Sequence, residues 1–147
     1  MSKKKTRHGL STMALHAGAE SRREGDPVVP PIVQSVNFIQ EIGTASGLKY
    51  TRYGNTPNAE RLQKRLAALE GAEAALVLGS GMGATACAML ALLRPGDHLL
   101  ASSHIYGGTY RLFMEEFVRL GIDVTLVDPL EPRVWRRRMR KETRAIF

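Results

Sequence analysis

An apolar run that breaks into a glycine turn and resumes as an apolar helix constrains this chain more than any other feature. Residues 76–84 read LVLGSGMGA. The run at 74–78 predicts a short strand and 84–93 a buried helix, with Gly79, Ser80, Gly81, Met82 and Gly83 as the turn between them. Backbone N–H groups at the start of such a helix lack intrahelical partners and face outward with the positive end of the helix dipole. The turn can therefore hold a phosphate, to which Ser80 can add a hydroxyl. Any parallel α/β protein also needs glycine where a strand turns into a helix, so the turn alone leaves both readings open.

The rest of the chain decides how that unit is used. Thr56 and Pro57 open a helix in which Leu62, Leu66 and Leu69 recur at helical spacing until Gly71 ends it, with Arg61, Lys64 and Arg65 as its solvated face. After the apolar helix, 98–101 predicts a second strand. Gly107 and Gly108 make a turn, and Thr109 caps a helix over 110–120 whose apolar face is Leu112, Phe113, Phe117 and Leu120. A third strand at 122–127, a basic helix over about 132–141 and a fourth strand at 144–147 complete an alternation that requires right-handed βαβ units and a parallel sheet. Ligands of such sheets bind beyond the carboxyl ends of the strands. The 79–83 turn and the 104–108 loop both lie at that edge, and Tyr106 offers a ring that either stacks on a flat ligand or packs on its own helix.

Upstream, Pro27, Pro30 and Pro31 disfavour helix and central strand, so 11–56 reads as an extended arm and loop. Val28, Val29, Ile32, Val33, Val36 and Phe38 would be exposed on an isolated arm and call for another domain or subunit to pack on. Tyr50, Arg52 and Tyr53 sit in the following loop. A guanidinium fork beside aromatic hydroxyls suits an anionic group, although a surface arginine among packing tyrosines has the same sequence.

The net charge of +7 is a property of the ends: 1–8 and 131–147 are basic, while 8–130 carries ten basic against twelve acidic side chains. Nucleic-acid binders spread basic residues along a groove-facing element, so no nucleic-acid partner is expected. No apolar run approaches the roughly 20 residues that cross a bilayer, and MSKKKTRHG lacks the apolar stretch of a signal peptide. A cytoplasmic protein without a membrane partner is the expectation. The single cysteine, Cys87, falls in the apolar helix and reads as packing rather than as a nucleophile, and no metal-ligand cluster is expected.

Six stretches taken together carry a resemblance. HAG at 16–18, VVPPI at 28–32, YTRYGN at 50–55, LEGAEAALVLGSGMGA at 69–84, LLRPGDHLLAS at 92–102 and YGGTYRLF at 106–113 resemble the Cys/Met-metabolism family of pyridoxal-phosphate enzymes. That family includes cystathionine gamma-synthase, cystathionine gamma- and beta-lyases, methionine gamma-lyase and O-acetylhomoserine sulfhydrylase. The resemblance runs in order over 11–147. It implies an α/β fold in which a basic flexible tail (1–10) and an extended arm with an intersubunit loop (11–56) precede the first part of a mainly parallel three-layer fold-type I large domain (57–147).

The resemblance also implies roles for matching positions. Gly81 and Met82 correspond to backbone donors of the phosphate cup, with Ser80 beside them, and Tyr106 to the tyrosine that stacks on the pyridine ring. Tyr50 and Arg52 correspond to the pair that reaches the phosphate of a neighbouring subunit in a homotetramer built as a dimer of dimers. YTRYGN is nearer the gamma-synthase, gamma-lyase and sulfhydrylase side of the family. NTPN at 55–58 departs from its commoner NPT order, and Arg136, Arg137 and Arg138 are more basic than usual.

The Schiff-base lysine, the aspartate for the pyridine nitrogen and the arginine for the substrate carboxylate have no counterpart here. Lys3, Lys4, Lys5, Lys49, Lys64 and Lys141 all lack the family's local sequence, so no catalytic residue is assigned. The expectation is an amino-terminal piece of a cystathionine gamma-synthase-like enzyme for elimination or replacement at the beta or gamma carbon of sulfur amino acids or activated homoserine, inactive alone. Two other readings stand beside it: a non-catalytic module that pairs with a full-length paralogue, and an unrelated phosphate-binding α/β domain. The last lacks both GxxxxGK[ST] and the acidic residue of a dinucleotide fingerprint.

Overall fold

The computed structural model describes residues 9–18, 24–44 and 47–147; of the basic tail predicted at 1–10, all but Gly9 and Leu10 lie outside the described residues. The chain separates into two units, dividing between Val77 and Leu78.

In the first unit a short helix, α1 (Leu10–His16), packs on α2 (Pro57–Glu70). Sequence reading places α1 within an extended arm. What fixes it as a helix is its partner: Arg65 donates to Leu15 O at 3.1 Å and to Ala17 O at 3.4 Å, satisfying carbonyls at the helix end. Gly18, with φ +73°, closes the approach. A Cβ there would lie 2.8 Å from Lys64 Cβ and 3.2 Å from Arg61 O, so the HAG glycine is required by both conformation and space.

The proline-rich segment that follows is held by side chains instead of a strand ladder. Asn58 accepts from Val33 N at 3.1 Å and donates to Val33 O at 2.8 Å, while Arg61 donates to Pro31 O at 3.3 Å. Arg61 and Arg65 are therefore staples and not merely the solvated face of α2. An extended arm without ladder partners leaves its carbonyls unsatisfied, and long guanidinium side chains supply the missing donors. Val28, Val29, Ile32 and Val36 of the arm remain exposed.

The second unit is a parallel three-stranded sheet in the order β2-β1-β3, with β1 (His98–Ser102) between β2 (Asp123–Val127) and β3 (Thr143–Ile146). These are three of the four predicted strands. The remaining one, at 74–78, belongs to no ladder; a strand exists only through its pairing.

β1 is buried on both faces, the condition of a central parallel strand. Leu99 and Ala101 join Leu93, Phe113, Phe117, Ile122 and Ala145 in one core cluster. Helix α4 (Gly107–Arg111) runs into a π-helical stretch, Leu112–Phe117, and brings the Phe113 and Phe117 rings to 5.2 Å. Thr109 lies inside this helix, which starts after Tyr106, and does not cap it.

Helix α3 (Gly81–Leu92) starts three residues before the predicted 84, and none of its residues is buried, Cys87 included. It is apolar around its whole circumference, yet it reaches the core through Met89, so the burial its composition calls for is met on one flank only. Helix α5 (Pro132–Arg138) ends short of the predicted 141, because Arg140 leaves the helix to pair with Asp123 and to donate to Thr125 Oγ1 at 3.2 Å. Among the described residues no helix is long and apolar enough to cross a membrane.

At the start of β1, His98 is buried between both neighbouring strands. Its ring nitrogens lie 2.7 Å from Thr143 Oγ1 and 2.9 Å from Thr125 Oγ1. Desolvation, followed by the nearby charge of Arg140, holds the imidazole pKa below its ordinary value of 6.5. The unfolded chain thus takes up this proton more readily than the folded one. The stabilisation is complete above the ordinary value and is lost as pH falls below it, with a slope of at most about 1.4 kcal/mol per pH unit. Urea unfolding should show stability decreasing between pH 7 and pH 5, and His98→Gln should remove that part of the slope. Identical slopes in variant and parent would contradict this account of His98.

Candidate functional site

The glycine turn makes a helix N-terminus with two backbone donors to spare. Ser80 is the N-cap of α3 in extended conformation, and its Oγ accepts from Gly83 N at 3.0 Å. Of the three leading N–H groups of the helix, this leaves those of Gly81 and Met82 for a ligand. The Ser80 hydroxyl keeps its own proton to donate in the same direction. Gly83 has a structural reason to be glycine, since a Cβ there would sit 3.1 Å from Ser80 Oγ. Gly79 and Gly81 have none within the chain. Neither has positive φ, and a Cβ on either would meet nothing within 4 Å. The bare backbone there is open to something from outside.

The neighbouring loop is joined to this turn through Met82. Its sulfur accepts from the buried Thr109 hydroxyl at 3.7 Å and would lie 3.2 Å from a Cβ on Gly108. The same Cβ would be 2.7 Å from Tyr106 Cε1, so only glycine at 108 lets the Tyr106 ring fold back toward Met82. The ring is 73% exposed and offers an apolar surface on the loop that the Met82 side chain joins to the turn. Anion donors next to an open aromatic ring fit a flat, phosphate-bearing molecule.

In the first unit Tyr50 and Arg52 form a second, pre-assembled group. Arg52 Nη2 donates to Tyr50 Oη at 2.6 Å, its guanidinium lies 5.2 Å from the Tyr50 ring centroid, and Tyr53 packs edge-on to Tyr50 at 5.6 Å. Asn55 clips the loop by accepting from Tyr50 N at 2.9 Å and donating to Leu48 O at 2.5 Å, and Gly54 turns the chain at φ +64°. Arg52 is exposed, so the outer donors of its fork face solvent. Lys49 is committed elsewhere, 2.6 Å from Glu60.

The description "Cys/Met metabolism PLP-dependent enzyme" belongs to the family model that matches residues 11–147. The chain belongs to this family. Among its relatives, a probable cystathionine gamma-synthase of Herpetosiphon aurantiacus is 38% identical, over 95% of this chain and 44% of that protein. An L-methionine gamma-lyase of Fusobacterium nucleatum subsp. polymorphum is 35% identical, over 96% of the chain and 38% of its own length. An O-acetyl-L-homoserine sulfhydrylase of Corynebacterium glutamicum is 36% identical, over 95% and 34% respectively. The crystal structure of metB from Corynebacterium glutamicum superposes with a TM-score of 0.85 at 34% identity, covering 95% of this chain and 36% of that one. The chain thus spans less than half the length of the Cys/Met-metabolism proteins it matches. The cofactor of this family is pyridoxal phosphate.

Of the six residues singled out by sequence, Ser80, Gly81, Met82 and Tyr106 come together in the second unit, and Tyr50 with Arg52 in the first. In sequence, Gly108 and Thr109 read only as a turn and a helix cap, and Asn55 only as part of a motif; their contacts with Tyr106, Met82 and the Tyr50 loop are not legible there. The glycine pair at 107–108 was the available signal, since a two-residue turn beside an aromatic residue needs a spatial reason for its second glycine.

Ser80→Ala should destabilise the fold by about 1 kcal/mol and Ser80→Gly by only a few tenths, read as shifts in the urea midpoint. Equal midpoints for parent and Ser80→Ala would mean that the cap is not formed.

Proposed function

We propose that this chain builds one wall of a pyridoxal-phosphate site in a transsulfuration enzyme of the cystathionine gamma-synthase type. The substrates are sulfur amino acids or activated homoserine, and the reaction is elimination or replacement at the beta or gamma carbon. The observation that carries this reading is the junction of a glycine-opened helix N-terminus with an exposed tyrosine ring through Met82, Thr109 and Gly108.

Each residue has a definite part in it. The N–H groups of Gly81 and Met82 and the Ser80 hydroxyl bind the phosphate. Tyr106 stacks on the ring and orients it, while the Met82 side chain and Thr109 keep the two loops in register. Tyr50 and Arg52 reach the phosphate held by a second copy of the chain, which makes the protein a homo-oligomer assembled from such dimers and gives the exposed arm its partner. In domain terms, 11–56 is the intersubunit arm and 57–147 the opening part of the cofactor domain, in a cytoplasmic protein. Bound pyridoxal phosphate supplies an electron sink for negative charge at a substrate carbon. The residues here bind and orient, and none is placed to shuttle the proton: Lys49 is paired with Glu60 and also donates to Asn55 O at 3.3 Å. The chain alone therefore binds the cofactor without turning over substrate.

Titration with pyridoxal phosphate should give saturable binding that Tyr106→Ala weakens roughly two- to tenfold. Borohydride treatment of the mixture, followed by peptide mapping, should leave no single lysine stoichiometrically modified. A stoichiometric adduct at one lysine, or affinity unaffected by Tyr106→Ala, would contradict the assignment.

A further inference from the structure

Helix α5 carries a charge arrangement that the cofactor site does not use. Elsewhere in the second unit Arg111 is paired with Glu115, Arg119 with Glu116, Arg140 with Asp123 and Arg144 with Asp97, while the Arg94 guanidinium, on the loop before β1, has no carboxylate partner among the described residues. Arg133, Arg136, Arg137 and Arg138 have no ion-pair or hydrogen-bond partner for their guanidinium groups among the described residues, and neither Glu131 nor Glu142 pairs with them. Four unpaired arginines in six residues repel one another, and no carboxylate of the segment relieves them.

Their spacing gathers three of them on one side. Positions 133, 136 and 137 stand in the i, i+3, i+4 relation that shares a helix face, and with Pro132 they line an open groove of about 600 Å³. Behind the groove the helix is anchored by Trp135, whose Nε1 donates to Asp128 O at 3.0 Å. Three planar donor forks lining one groove, with no carboxylate paired to them among the described residues, match a compact ligand that carries several phosphate oxygens.

We propose that the Arg133, Arg136 and Arg137 face of α5 is a binding site for a small oligophosphate anion, separate from the pyridoxal-phosphate site. A compact ligand is favoured over a nucleic-acid strand because the cluster of unpaired arginines lies on one helix of seven residues, about 10 Å long. Arg140 and Arg144, which follow the helix in the chain, are held by Asp123 and Asp97.

Trp135 is the chain's one tryptophan and sits among these arginines, so its fluorescence reports on the groove. The probe is sodium tripolyphosphate, titrated into the full chain in 50 mM and 300 mM salt. Saturable change in Trp135 emission is expected at low salt, weakening at high salt as the charges are screened. Arg136→Gln with Arg137→Gln should weaken binding about tenfold, the corresponding double lysine variant, which keeps the charge and loses the planar forks, should bind more weakly than the parent and more tightly than the glutamine variant, and Ser80→Ala should leave binding unchanged. Unaltered affinity in the double glutamine variant, or loss of binding in Ser80→Ala alone, would overturn the proposal. So would tighter binding of a single-stranded oligonucleotide than of tripolyphosphate, since an extended strand would then be the better match to these arginines.

Discussion

The pairing of β1 on both edges is the constraint from which the second unit follows. With parallel partners on either side and apolar side chains on both faces, β1 can only be a central strand. Its carboxyl end then delivers the 103–106 loop to the sheet edge, and the helix after it must pack Phe113 and Phe117 back onto Leu99 and Ala101. The start of α4 is thereby fixed, and with it the Tyr106 ring. Met82 completes the geometry, because its sulfur fills the space left by Gly108 and meets the Thr109 hydroxyl. A core-packing requirement thus becomes the spacing between a set of anion donors and an aromatic surface.

Arginine does two different jobs in this molecule. Arg61 and Arg65 satisfy carbonyls of a proline-rich arm and of a short helix that have no ladder partners of their own. Arg140 leaves α5 to join the network around His98, donating its backbone N–H to Thr143 Oγ1 at 2.8 Å and its guanidinium to Thr125 Oγ1. These side chains replace backbone hydrogen bonds. The arginines of α5 satisfy no group among the described residues, and their side chains are exposed.

Much of the fold was legible because it depends on local signals. Pro57 and Gly71 bracket α2, Gly96 and Gly121 precede strands, and the apolar runs at 98–101 and 122–127 became β1 and β2. The site was legible where a backbone feature has a sequence signature, as at Gly81 and Met82. What could not be read were features decided by distant partners. The strand expected at 74–78 needs a neighbour that no local pattern reveals, and α1 is fixed by Arg65, about 50 residues away. Thr109 resembles an N-cap in sequence, yet its hydroxyl is drawn to Met82, a contact between residues 27 positions apart. Arg61 and Arg65 were misread for the same reason: a charged helix face looks identical whether it meets water or an arm.

The proposed phosphate site rests on the cap formed by Ser80, which holds the Gly83 N–H and leaves those of Gly81 and Met82 without intrahelical partners. The most direct test follows the backbone amide resonances of 79–83 while pyridoxal phosphate is added. The account predicts that the Gly81 and Met82 N–H signals move downfield while that of Gly83, already held by Ser80, stays in place. Movement of Gly83 without the other two, or no change at any of the three at saturation, would contradict it.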